Sequence, residues 1–254
     1  MASQDDVVSA LRTLGIRTSV EALHALIKQV TKTRASAVEC FENLVALERR
    51  EREARNLEAR TKAATIGAFK PLDRFDWNHP RSIDRALYEE LHGLDFLSRA
   101  DNVLFRGQSG VGKTNLAQAL AHAALLKGHT VRFTTLAAAI ADLSRQESVP
   151  ALERRLRRYT HVSLLVIDEL GYLPCDSRSA DLLYTLISRR HEQRSTAIST
   201  NLSYKQWGSV FPGAACVAAL IDRFAQHCQV IDIDADSWRN KEATERAARK
   251  KPKA

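Results

Sequence analysis

The chain has 254 residues, 44% hydrophobic and 27% charged, the balance of an ordinary globular protein with room for one good-sized domain and a smaller one. No stretch approaches the run of about 18 uncharged apolar residues that marks a membrane span, so none is expected. Lys and Arg number 38 against 30 Asp and Glu, a net charge of +8 with an isoelectric point near 9.5, which is compatible with a polyanionic partner.

The opening segment "MASQDDVVSALRTLG" has neither a basic flank nor an uninterrupted apolar core, so no secretion signal is expected. Residues 1–66 carry helical patterns only and predict a small all-helical N-terminal domain that binds DNA or a partner. Thr18 with Glu21, and Ser36 with Glu39, have the spacing of a capping box, and Gly15 is placed to end the first helix. From Ser36 one helix is predicted to run to about Lys62. Its second half pairs Glu48 with Arg52 and Glu51 with Arg55 at helical spacing, which predicts an exposed, projecting arm. Residues 67–80, broken by Gly67, Pro71 and Pro80, read as a linker.

From 81 to 239 helical patterns alternate with short β-branched runs at 102–105, 130–134, 163–168, 195–200 and 229–233. Helices separate nearly every pair of these runs, so the predicted fold is α/β with a five-stranded parallel sheet between helices. Residues 240–254 form a basic, flexible tail, and "RRLRR" at 154–158 is a second basic cluster. Each has a plainer reading as a solvated helix face or a frayed end. Cys40, Cys175, Cys216 and Cys228 lack CxxC spacing and read as buried thiols in a reducing cytoplasm; the scattered histidines suggest no zinc.

The segment "GQSGVGKT", Gly107 to Thr114, fits the phosphate-loop pattern and lies between a predicted strand and a predicted helix, the context that pattern needs. Gly107, Gly110 and Gly112 let the backbone curl so that its amides point at a phosphate chain, and the next helix aims its positive end there. The residues assigned to the nucleotide are Gly107, Gln108, Ser109, Gly110, Val111, Gly112, Lys113, Thr114 and Asn115. Lys113 is to reach the β- and γ-phosphates of ATP, and the Thr114 hydroxyl is to hold Mg²⁺. In "LLVIDEL" four apolar residues drive a strand into the sheet centre and deliver Asp168 and Glu169 at its carboxyl end. Asp168 is to bind Mg²⁺ through water and Glu169 to polarise an attacking water, a pair that favours hydrolysis over transfer to a small acceptor.

At the end of the fourth strand Asn201 is the candidate γ-phosphate sensor, against a plain turn-forming asparagine. Arg223 precedes the last strand, where ring-forming ATPases keep an arginine that enters the neighbouring subunit's site. Arg189 and Arg190 compete for that task, and a surface arginine without catalytic duty is the alternative for each.

The segments "GQSGVGKTNLAQALAHAALLKGHTVRF", "LLVIDELGYLP", "STNLSYKQWGSVF" and "ALIDRFAQHCQVIDIDADSWR" together resemble the IstB family, ATP-binding helpers of bacterial insertion sequences. That family is related to the DnaC-type helicase loaders among AAA+ ATPases. The resemblance is strong over 68–239 and looser over residues 41–77. It implies a five-stranded AAA+ core, ATP-dependent oligomers on double-stranded DNA, remodelling of that DNA, and cooperation with a cognate transposase in the bacterial cytoplasm. The phosphate loop, Asp168, Glu169 and Asn201 match the family's functional positions, and Arg223 matches the arginine of the loaders. Gln108 and Ser109 replace prolines common in this loop, Asn115 stands where histidine is frequent, and Ser203 replaces a usual proline.

Only 21 residues follow Ile233, too few for a helical lid whose several helices need about 10 residues each. Closure over the nucleotide is therefore expected from a neighbouring subunit or the N-terminal domain. Two other readings of the chain are a helicase loader using ATP as a switch and a small-molecule kinase; the Asp168–Glu169 pair and the lack of an arginine-rich lid speak against the kinase. Candidate DNA contacts are Arg154, Arg155, Arg157 and Arg158, the arm from Arg49 to Arg60, and the tail from Lys250 to Lys253.

Overall fold

Three capped helices begin the chain in the computed structural model, which describes residues 3–172 and 176–242. Helix α1 (Gln4–Thr13) starts on a reciprocal pair that the sequence reading missed: Ser3 Oγ accepts from the Asp6 amide at 3.1 Å, and Asp6 accepts from the Ser3 amide at 2.9 Å. Gly15 (φ 93°) follows its end, as expected. Helix α2 (Val20–Thr33) is capped by Ser19, not Thr18, and helix α3 (Ala37–Ala64) by the expected Ser36–Glu39 pair.

Thr18 is used elsewhere. Its amide and hydroxyl, with the Arg17 amide, donate to Glu48 Oε2 at 2.8–2.9 Å, while Arg52 donates to the other oxygen. Glu48 is therefore buried rather than part of an exposed arm, because a carboxylate on α3 takes up the amides of the turn that leads into α2. Burial pushes its carboxyl up, but the bonds from Thr18, Arg17 and Arg52 together outweigh that and hold it below the ordinary glutamate range.

The chain separates into two compact units, Met1–Arg60 and the part from Thr61 onward. The second unit is built on a six-stranded sheet in the order β1-β6-β2-β5-β4-β3. The strands are β1 (Ser82–Ile83), β2 (Asn102–Gly107), β3 (Val131–Thr135), β4 (Leu164–Leu170), β5 (Ser195–Thr200) and β6 (Cys228–Asp234). The five expected strands all form and run parallel to one another. The sixth, β1, is a two-residue strand paired antiparallel to β6, too short to leave a sequence pattern. Strand β4 lies one place in from the β3 edge; β2 and β5 are the central pair.

Between the strands run α4 (Arg85–Gly93), α5 (Lys113–Leu126), α6 (Leu136–Ser144), α7 (Val149–Thr160), α8 (Ser177–Arg190), α9 (Trp207–Val210) and α10 (Val217–Ala225). Side chains alternate across the sheet. Leu104, Leu165, Ile167 and Ile198 join the core shared with α6, α7, α8 and α10, and their strand neighbours Val103, Phe105, Val166 and Ala197 are equally buried. Helix α5 is apolar nearly all round, as a helix packed into a sheet must be. Cys40, Cys216 and Cys228 are free and half-buried rather than buried; Cys175 lies outside the described residues. No helix among the described residues is long and apolar enough to cross a membrane.

Candidate nucleotide site

The carboxyl ends of β2, β4 and β5 deliver the functional groups to one cleft of about 380 Å³, within the range of small-ligand sites. Gly110 (φ 82°) and Gly112 (φ 102°) turn the loop through left-handed conformations that other residues rarely adopt, and α5 begins at once on Lys113. The loop is tightly enclosed. A Cβ at Gly107 would lie 2.4 Å from the carbonyl oxygen of Ile233, and one at Gly112 would lie 2.8 Å from the Phe75 ring. Ser109 through Asn115 line the cleft, while Gly107 and Gln108 contribute their carbonyls, to which Lys113 Nζ donates at 2.8 and 2.6 Å.

Lys113 is 5% exposed. Burial lowers its pKa, the charges of Asp168 and Glu169 raise it, and Arg239 lowers it again, with a net downward result. A buried ammonium held by two carbonyls beside a ring of loop amides fits a polyanionic ligand. Thr114 Oγ1 donates to Asp168 Oδ2 at 3.0 Å, which brings together two hard oxygen donors suited to Mg²⁺. No cluster of three or more His, Cys, Asp or Glu able to hold a metal occurs among the described residues. Magnesium in such sites takes only one or two protein ligands, with phosphates and waters filling the rest.

Asp168 is 4% exposed and Glu169, next to it, faces the cleft. Ser199, at the end of β5, also lines the cleft and donates to Asp168. Asn201 does not line it. Its side chain is exposed beside Gly171, with Oδ1 3.4 Å from where a Gly171 Cβ would stand.

The predicted linker and the turn where the ATPase domain meets the tail supply the remaining walls. Phe69, Lys70, Phe75 and His79 line the cleft together with Trp238, Arg239 and Glu242, and the two groups touch: the His79 and Trp238 rings lie 4.8 Å apart. The Trp238 amide donates to the Gly110 carbonyl at 3.0 Å, and Lys70 donates to Glu242 at 2.7 Å. Asn115 Oδ1 accepts from the Lys70 amide at 3.2 Å, so its side chain ties the linker to α5. Residues 238–242 are helical, which shortens the expected flexible tail; Lys250–Lys253 lie outside the described residues. The chain's own linker and C-terminal turn thus form part of the wall of the cleft. The spacing of aromatic residues through 69–79 and at Trp238 was the available signal.

The arginine candidates differ sharply. Arg190 is 1% exposed and donates to backbone carbonyls throughout its surroundings, so it cannot enter another subunit. Arg189 makes a bidentate pair with Glu153, both bonds at 2.7 Å. Arg223 on α10 lies outside its own cleft, donates to Tyr184 Oη at 2.6 Å and to Ser188, and stacks over the Tyr184 ring. On α7, Arg154, Arg157 and Arg158 are exposed, and Arg155 pairs with Asp142 at 3.0 Å.

The family model of the IstB-like ATP binding protein matches residues 9–246. An insertion sequence IS21 ATP-binding protein of Pseudomonas aeruginosa is 37% identical over 75% of this chain and 72% of its own length. The corresponding protein of IS232 from Bacillus thuringiensis subsp. berliner is 37% identical over 79% of this chain and 82% of its own. Among solved structures, AMPPCP-bound DnaA from Aquifex aeolicus superposes with a TM-score of 0.56 at 19% identity, over 73% of this chain and 56% of that one. DnaI superposes at 0.53 and 18%, over 68% and 90% respectively.

Proposed function

Because the chain belongs to the IstB-like ATP-binding family of insertion sequences, we propose that it hydrolyses ATP to ADP and phosphate, assembles through ATP on double-stranded DNA, and assists a cognate transposase in the bacterial cytoplasm. The observation that carries the hydrolytic part is the buried Lys113 and the Thr114–Asp168 contact, with Glu169 beside them at the cleft. Loop amides and Lys113 bind the triphosphate and take up charge that spreads over the transferring phosphoryl oxygens. Thr114 and Asp168 would hold Mg²⁺, which neutralises the phosphate charge when bound. Glu169 orients a water for attack on the γ-phosphorus; the water's oxygen bonds to phosphorus as the bond to ADP breaks, and its proton is released.

The duplex-binding part is supported by the net charge of +8 and by the exposed Arg154, Arg157 and Arg158 on α7. Arg223, anchored on α8 and half-buried, is the arginine offered to the next subunit's site; Asn201, exposed and outside the cleft of the nucleotide-free chain, would have to turn toward it to sense the γ-phosphate.

Glu169→Gln is expected to bind fluorescent ATP analogue as wild type does and to hydrolyse at least about 100-fold more slowly, whereas Lys113→Ala loses nucleotide binding. Wild-type hydrolysis is expected to rise with long duplex DNA, and retardation of that duplex to weaken steeply with salt. Unchanged turnover in Glu169→Gln removes Glu169 from the mechanism. Tight helicase binding with no duplex dependence would instead favour a loader.

A further inference from the structure

The pairing of β4 with β5 is regular from Leu164 opposite Ser195 to Ile167 opposite Ile198, and then slips, so that Leu170 faces Thr200. Three steps along β4 match two along β5. The extra residue makes a bulge at Asp168–Glu169, and Glu169 takes the left-handed φ of 63°, unusual for a residue with a side chain. A bulge takes an amide off the ladder, and a buried amide left without an acceptor is costly. Ser199 supplies that acceptor: the Glu169 amide donates to its Oγ at 3.1 Å. The same hydroxyl spends its one proton on Asp168 Oδ1. Asp168 also accepts from Thr114, so a single hydroxyl, 1% exposed, connects both acids and, through Asp168, the phosphate loop. Thr200 Oγ1, donating to the Leu170 carbonyl at 2.6 Å, secures the far side of the bulge.

We propose that Ser199 is a positioning residue whose hydroxyl holds the β4 bulge, so that Glu169 is presented to the cleft and the Asp168 carboxylate is turned toward Thr114. This rests on the hydrolytic reading only for its consequence on turnover; the positioning itself is a property of the nucleotide-free chain. An alanine at Ser199 removes the acceptor for the Glu169 amide and one donor to Asp168. A threonine keeps both.

The test compares Ser199→Ala and Ser199→Thr in the full chain. Amide exchange without nucleotide is expected to be about tenfold faster at Glu169 in the alanine variant, the loss of one half-buried hydrogen bond, and unchanged at 165–167 of the same strand. Binding of a fluorescent ATP analogue without Mg²⁺ stays within about threefold, while the Mg²⁺ concentration for half-maximal tightening rises about tenfold. Turnover falls about tenfold or more with KM nearly unchanged, and the threonine variant returns each quantity toward wild type. Wild-type protection of Glu169 in Ser199→Ala, or a threonine variant that behaves like alanine, overturns the proposal. If Ser199→Ala does not fold, Ser199→Cys, of similar volume and with a weaker donor and acceptor, carries the same measurements and criteria. If wild type binds nucleotide but never hydrolyses it, the ATPase reading falls, and the exchange and Mg²⁺ measurements still decide the role of Ser199.

Discussion

Replacing Arg190 by lysine separates an arginine that holds the fold from one that serves a neighbour. Its guanidinium reaches six acceptors: the carbonyls of Tyr159, Thr160, Val162, Ser163 and Ser195, and Thr196 Oγ1. These come from the end of α7, the turn into β4, and the first residues of β5. Lysine offers three donors from a single nitrogen and cannot span the set, leaving about three acceptors without a partner. At about 1 kcal/mol for each lost hydrogen bond the cost is about 3 kcal/mol. For a chain of this size that corresponds to a melting temperature about 6–12 °C lower. Arg189→Lys is the control, because that side chain is 41% exposed and its pair with Glu153 is a surface one. Its change is expected to be within about 1 kcal/mol. Thermal melting followed by circular dichroism reads both. In mixtures with Lys113→Ala subunits, Arg190→Lys is expected to restore no hydrolysis beyond its folded fraction, whereas Arg223→Ala, defective alone, recovers part of it. A melting temperature for Arg190→Lys within about 2 °C of wild type would refute the hydrogen-bond argument.

Two further outcomes follow from close contacts. Gly107→Ala places a Cβ 2.4 Å from a backbone oxygen of β6, so the loop must shift; nucleotide affinity is expected to fall about tenfold or more by equilibrium titration. Gly128→Ala, at φ 92° with nothing within 4 Å of its Cβ, is expected to cost about 1 kcal/mol of stability and leave affinity unchanged; equal affinity losses in the two variants would dismiss the steric account. Glu48, whose carboxyl sits below its ordinary value of 4.5 when folded, contributes stability that is fully present above that value and is lost as pH falls through the folded value. Protection of α1–α3 amides in wild type should therefore exceed that in Glu48→Gln at pH 7, by about 2 kcal/mol. The gap should shrink as pH drops below 4.5, and a gap independent of pH contradicts the assignment.

What could be read from the sequence depended on whether the chemistry was local. The phosphate loop is a continuous run whose glycines act through their own backbone and whose lysine follows them directly, and Asp168–Glu169 ends one apolar strand; both were visible as strings. Glu48 was visible only as the partner of Arg52, four residues on. Its larger role, capping the amides of Arg17 and Thr18 about thirty residues earlier, leaves no local pattern. Ser199 left no signal of its own, because its contacts depend on a bulge in the neighbouring strand β4, about thirty residues away in sequence. The sheet edge also gathered Phe75 and Trp238, separated by most of the second unit, into the walls of one cleft. Arg190 is the instructive exception. Leu183, Leu186 and Ile187 mark the buried face of α8, and the next position in that helical series is residue 190, while Arg189 falls about 100° away toward solvent. Periodicity alone already placed one of the two adjacent arginines in the core, and a buried guanidinium surrounded by carbonyls is committed to the fold before any neighbouring subunit arrives.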